Sequence, residues 1–172
     1  YDTGSRENPV TIEEDLKRRH FSCGAIAVNV LTGDTIDPHD GGIHIRNRLL
    51  MPVSEMFPLS PERPLIGAQF ASRFSMTPTP AFARLAGPMF ERRHLIPESQ
   101  VAKHMNLMLL GERPDLGIIT LAAIGWMDFL PEFKAIVNMP QDPMWHPEGP
   151  VDVHTLLGFP IIAQFTKGST DR

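Results

Sequence analysis

The sequence predicts an α+β chain, with a small N-terminal β/α segment over residues 1–57 followed by an all-helical remainder. Three observations carry this. The run CGAIAVNVL has strand character and meets a Thr-Gly-Asp turn. From residue 60 onward the apolar spacing changes to a helical period. Proline, 17 of 172 residues, then cuts the second half into short elements.

Each element has a local reason. Thr11 can cap a helix over TIEEDLKRR, with Glu13 and Glu14 at its positive end and Lys17, Arg18 and Arg19 at its negative end. CGAIAVNVL follows as a strand, and the turn at 32–34 leads into a second strand, TIDP. IHIRNRLLMPVS predicts a short helix and a third extended piece. Residues 1–57 therefore hold too few strands for an independent sheet. In SPERPLIGAQFASRFSM, residues Leu65, Ala68, Gln69, Ser72 and Arg73 fall at helical spacings, and Phe70 and Phe74 form an i, i+4 aromatic pair. TPAFARLAGPMFERRHL, ESQVAKHMNLMLLG, PDLGIITLAAIGWMDFL and PEFKAIV continue as short helices of a bundle. A proline-rich loop, NMPQDPMWHPEGP, leads to a last helix expected to break at Pro160.

Composition narrows the class. With 42% hydrophobic and 21% charged residues, the chain suits one globular domain or two small lobes. A net charge of -4 carries no polycation signature, so nucleic-acid contact must come from local patches. The single cysteine, Cys23, cannot form an internal disulfide or a thiolate cluster, and reads as a buried inert thiol. No apolar run approaches the ~20 residues that span a bilayer, and a soluble protein is expected. The polar opening at Tyr1 and the closing run TKGSTDR both read as cut ends.

Several clusters have chemical potential beside a plainer role. Lys17, Arg18 and Arg19 can bind phosphate, and cations also belong at a helix C-terminus. His20 beside them can donate a proton, stack on a base or sit as a polar joint. Asp34, Asp37 and Asp40 can hold magnesium, yet turns favour Asp at the same places. His39, Asp40 and His44 match no strong metal signature. His146 and His154, with Asp142, Glu148 and Asp152 around them, are the richest metal-type cluster. A histidine hydrolase would need a further His-Asp pair on a later helix, and none follows, so an active metal centre is not expected. No nucleophile elbow, P-loop or dinucleotide fingerprint occurs.

Taken together, EEDLKRRHFSCGAIAVNVLTGDTIDP, PVSEMFPLSPERPLIGAQFASRF, LLGERPDLGI, LPEF and PQDPMWHPEGPVDVHTLL resemble the bacterial tRNA nucleotidyltransferase (CCA-adding enzyme) and poly(A) polymerase family. The likeness is collinear over nearly the whole chain. It implies that 1–57 is the C-terminal part of a nucleotidyltransferase head, a small β/α remnant. Residues 58–138 are then a helical neck and body, and 139–172 the start of an HD-type or further helical region. It implies nucleotide binding by Arg18, Arg19 and Arg63, and RNA binding by Arg84, Arg92, Arg93, Lys103 and Arg113. ATP and CTP are the implied substrates, Mg the implied cofactor, tRNA the implied partner and the cytoplasm the implied place. The strand pair whose two carboxylates hold the metals should precede residue 1. Gly4 and Ser5 align with a later loop instead, so no catalytic residue is assigned.

Departures from the family pattern reduce the expected chemistry. His20 stands where the family has Asp after the two arginines, and Gly24 where it has Asn. In the neck motif Ser60 replaces Asp and Ile66 replaces the second Arg, while Arg63 is kept. Losing that Asp removes a charge-assisted contact to the base worth roughly 1.5–3 kcal/mol; Arg63 can still stack or bind phosphate. Four readings stay open: a middle slice of a CCA-adding-type enzyme, inactive alone; a non-catalytic RNA-binding module; an HD-type metal phosphohydrolase remnant through His146 and His154; and a degenerate paralogue.

Overall fold

The hydroxyl of Thr11 accepts the Glu14 N–H at 3.2 Å while the Glu14 carboxylate accepts the Thr11 N–H at 3.0 Å. This capping box satisfies two otherwise orphaned donors and starts helix α1, Ile12–Lys17. The computed structural model describes residues 10–167, so Gly4, Ser5 and the end of the TKGSTDR run lie outside the described residues.

The strand expected over CGAIAVNVL is much shorter. Ser22–Gly24 form a 3-10 turn, and β1 is only Ala27–Val28. Asn29 ends it, because its side-chain oxygen accepts the Leu31 N–H at 2.9 Å and replaces the ladder with a turn. Strand β2, Thr35–Ile36, returns antiparallel, with Ala27 opposite Ile36. Asp37 then accepts the Gly41 and Gly42 N–H groups at 2.7 and 2.8 Å, starting α2, Gly41–Arg46. A Cβ at Gly41 would lie 2.2 Å from the Ser22 carbonyl oxygen, so only glycine allows this approach.

The third extended piece is β3, Leu49–Leu50, which pairs in parallel with β4, Thr77–Pro78. Between them run a 3-10 turn, Phe57–Leu59, and α3, Arg63–Phe74. Helix α4, Pro80–Ala86, is capped by Thr79 and passes into 3-10 structure over Gly87–Leu95. Helices α5, Glu98–Leu109, and α6, Pro114–Ala123, follow, then a 3-10 turn, Met127–Phe129, and α7, Pro131–Ala135. Helix α8, Val151–Phe165, runs through Pro160 without the expected break. Proline there forfeits one intrahelical bond, while Phe159 packs on the core and Ala163 is buried nearby.

Helix α3 is the centre of the molecule and packs chiefly on α5 and α6. It buries Leu65, Ala68 and Ala71 together with the polar Gln69 and Ser72. The Ser72 hydroxyl donates to the Met108 carbonyl at 2.5 Å, which ties α3 to α5 and satisfies a buried polar group. Phe21 meets Phe57 and Phe82 edge-on at 5.4 and 5.2 Å, so the N-terminal segment and the helices share one core. Phe70 and Phe74 form the anticipated edge-on pair at 5.3 Å. Among the described residues, no helix is long and apolar enough to cross a membrane.

Candidate nucleotide site and metal cluster

Arg63 opens α3, yet it is 3% exposed, an unusual depth for a cation. Main-chain carbonyls compensate. Its Nη1 donates to Met56 O at 3.1 Å and Phe57 O at 3.2 Å, and its Nη2 donates to Arg18 O at 3.0 Å. The guanidinium also lies 5.8 Å from the Phe57 ring centroid. One side chain thereby fastens the end of α1 to the turn before α3. The result is a hollow of about 280 Å³ lined by Arg18, Met56, Leu59, Ser60 and Arg63. Two cations, two apolar side chains and a hydroxyl suit a ligand with a flat apolar part and an anionic part.

The structure brings Arg18 and Arg63 to this hollow. Arg19 is held instead by Asp15 at 2.7 Å, on the exposed side of α1. His20, at the family's Asp position, has its pKa lowered, first by burial and then by the charge of Arg63. Buried His104 on α5 is near enough to contribute to the same shift; its own pKa is lowered by burial and then by Lys103. Its Nδ1 finds no hydrogen-bond partner. Sequence reasoning missed His104; its place within the apolar period of α5 was the available signal. Cys23 is partly buried and its thiol pKa is raised by that burial, in keeping with an inert role.

The basic residues expected at RNA fall into separate groups. Arg84 pairs with Glu55 at 2.7 Å, and Arg92 donates to Pro58 O at 2.9 Å, so both reach the turn that borders the hollow. Arg93 stacks 4.2 Å from the Phe90 centroid. Lys103 is exposed on α5. Arg113 forms a two-pronged pair with the buried carboxylate of Asp115, at 3.0 and 2.7 Å, at the joint before α6.

The carboxylates of the turn region act locally. Asp37 caps α2, which lowers its pKa, chiefly through the Gly42 N–H. Asp34 accepts from the Thr32 hydroxyl at 2.6 Å, and His44 Nδ1 lies 2.8 Å from Ser22 Oγ. Among the described residues, the one set of three or more such side chains gathered closely enough for a metal is His146, Glu148 and His154. Glu148 Oε1 lies 3.1 Å from His146 Nδ1 and 2.5 Å from His154 Nδ1. The carboxyl pKa falls to about 2, first because of His154, then its own backbone N–H and His146. Asp142 and Asp152 stay out of the cluster and accept the Met144 and Asn138 N–H groups at 2.9 and 3.0 Å.

No protein-family model matches the chain. The Multifunctional CCA protein of Aliivibrio salmonicida (strain LFI1238) is 37% identical over 158 residues, covering 88% of this chain and 38% of that protein. The Stenotrophomonas maltophilia (strain K279a) protein of the same name is 34% identical over 168 residues, covering 92% and 41%. The chain thus spans less than half the length of these curated relatives. The Bacillus stearothermophilus CCA-adding enzyme, solved in complex with CTP, is 29% identical with a TM-score of 0.61, covering 72% of this chain and 32% of that one. The Thermotoga maritima CCA-adding enzyme complexed with tRNA shares the fold at 20% identity, with a TM-score of 0.62 over 90% of this chain and 41% of that one. The identities to the curated proteins and the shared fold agree with the collinear motifs around Arg18 and Arg63, and the chain belongs to the tRNA nucleotidyltransferase family of CCA-adding enzymes.

Proposed function

We propose that this chain supplies the nucleotide-facing wall and part of the tRNA-facing surface of a tRNA nucleotidyltransferase, and does not complete nucleotide transfer alone. The observation that carries this reading is the hollow itself. Two motif segments far apart in sequence, at Arg18 and at Ser60 to Arg63, line it together. In this reading residues 1–57 are the later part of the head, 58–138 the neck and body, and 139–172 the start of a further helical region.

Arg18 takes the anionic part of CTP or ATP, and Met56 and Leu59 offer apolar area to the base and sugar. Arg63 positions Arg18 through its carbonyl, since three of its hydrogen bonds go to main chain. Arg84 and Arg92 border the same hollow, a place suited to the phosphates of a tRNA end. Magnesium, implied by the family, has no fitting carboxylate set among the described residues: Asp37 caps Gly41 and Gly42, and Asp34 holds Thr32. No transfer step is therefore assigned to these residues. The cytoplasm, where tRNA is matured, is the proposed place of action.

Two measurements on the 172-residue chain test the reading. CTP and ATP should bind measurably in an equilibrium titration, whereas a tRNA lacking its 3′ end should gain no CMP or AMP. Absence of nucleotide binding refutes the proposed wall, and incorporation of CMP or AMP refutes the proposed inactivity.

A further inference from the structure

We propose that the cavity at the C-terminal end of α3 binds a small hydrocarbon aromatic molecule carrying one anionic group, an aryl carboxylate or sulfonate. The cavity has a volume of about 390 Å³ and is lined by Cys23, Gly24, Ile45, Phe70, Phe74 and Met76. That volume falls within the ~300–1,000 Å³ of small-molecule sites. The nucleotide hollow sits at the first residues of α3 and this cavity at its last, so the 12-residue helix, ~18 Å long, lies between them. The cavity is thus separate from the site of the transferase reading.

Segments distant in sequence pre-form the walls. Strand β3 pairs in parallel with β4, and the Thr77 N–H donates to Arg48 O at 2.7 Å, which sets the end of α2 beside Met76. The Met76 N–H donates to Ala71 O at 3.2 Å and holds the buried Met76 against the last turn of α3. The aromatic rings form a series that runs outward from the core. Phe21 lies 5.8 Å from Phe70, and Phe70 lies 5.3 Å from Phe74 with the ring planes at 82°. The series ends at Phe74, which is 49% exposed although large and apolar. A further ring in the cavity extends this edge-to-face order and covers both Phe74 and the half-exposed Ile45. A Cβ at Gly24 would meet nothing within 4 Å, so that wall leaves room for the ligand.

Charge and polarity select the class of ligand. Arg48 Nη1 donates to Phe74 O at 3.4 Å, and the Arg73 guanidinium lies 5.1 Å from the Phe74 ring centroid. Both arginines are exposed, and neither takes part in an ion pair among the described residues. Two cations beside one aromatic wall favour an anionic group on a ring seated against Phe74. Burial raises the Cys23 thiol, so it stays neutral and does not repel that anion. The lining side chains present only the weakly polar sulfurs of Cys23 and Met76. A nucleobase would leave its polar edge unpaired there, at a cost in free energy, whereas a hydrocarbon ring has no such edge.

The test is calorimetry on the 172-residue chain with 2-naphthoate, its neutral counterpart 2-naphthalenemethanol, and CTP. Naphthoate should bind one to one, and CTP should not displace it. The neutral alcohol should bind about two- to fivefold more weakly, the range expected of exposed charge pairs. Arg48→Gln combined with Arg73→Gln should lower naphthoate affinity to that of the alcohol and leave the alcohol unaffected. Phe74→Ala should weaken both ligands, while Lys134→Gln, on α7, changes neither. Should a variant misfold, methyl NMR on the unmodified chain decides the matter. The Ile45 and Met76 methyl signals should shift on titration and show Overhauser contacts to the naphthyl protons. Lack of saturable naphthoate uptake, equal affinity for acid and alcohol, displacement by CTP, or shifts centred on other methyl groups overturns the site.

Discussion

Arg63 donates to the main-chain carbonyl of Arg18 at 3.0 Å, a bond between residues 45 apart in sequence. The same guanidinium serves Met56 and Phe57, so its loss strands three buried or partly buried carbonyls. Arg63→Ala should destabilise the chain by about 3 kcal/mol, because buried acceptors without donors cost about 1–3 kcal/mol each and the site can relax only partly. Arg63→Lys should recover only a minor part, since an ammonium cannot reproduce the planar fork. Urea unfolding with matched slopes checks both values.

Two helical glycines should respond with opposite signs. A Cβ at Gly67 would lie 2.4 Å from Phe82 Cζ and 3.0 Å from Phe21 Cζ, in the middle of the aromatic core. Gly67→Ala should cost about 1–3 kcal/mol through overpacking. Gly158 in α8 has nothing within 4 Å of its would-be Cβ, so Gly158→Ala should stabilise by about 0.5–1 kcal/mol through helix propensity. Thermal melts of the two variants should move in opposite directions, by roughly 2–4 °C per kcal/mol.

Stability should fall as pH drops from neutrality. His20 and His104 both have lowered pKa values, each by burial first, then by Arg63 for His20 and by Lys103 for His104. The unfolded imidazoles take up protons near pH ~6.5, whereas the folded ones resist until lower pH. Their contribution is therefore complete above about pH 6.5 and is lost as pH falls through the folded values. Melting temperature measured from neutral pH to mildly acidic pH should decline, and the decline should be shallower in His104→Leu. An equal decline in that variant would remove His104 from the account.

If Arg18 supplies the anionic contact of the hollow, Arg18→Ala should weaken CTP and ATP binding about tenfold or more, because hydrogen bonds to charged groups contribute about 1.5–3 kcal/mol. Arg19→Ala should have a smaller effect, since Arg19 is paired with Asp15 on the exposed flank of α1. Parallel titrations of the two variants distinguish them. A larger loss for Arg19 than for Arg18 contradicts the assignment.

Much of the fold was legible where the signal is local. Thr11 announces its cap, Phe70 and Phe74 their pairing, and the prolines most helix starts. The strand over CGAIAVNVL was overestimated because the side chain of Asn29 competes with the ladder, an effect decided by geometry rather than by hydropathy. The parallel pairing of Leu49 with Thr77 carries no local mark at all. At the candidate site the basic run at Arg18 was visible, but its tie to Arg63 was not, nor was the buried place of His104.

By itself the sequence determined which segments are helical, where they begin and which family pattern they follow, because capping, periodicity and motif order act over a few residues. Only the tertiary structure decided the roles of the charged groups. It buried Arg63 under three carbonyls, set Arg19 on Asp15, used Asp37 as a cap and closed Glu148 between His146 and His154. The physical reason is that a charge takes its function from its partners and its burial. Both are fixed by chain segments that meet only when the core around α3 has formed.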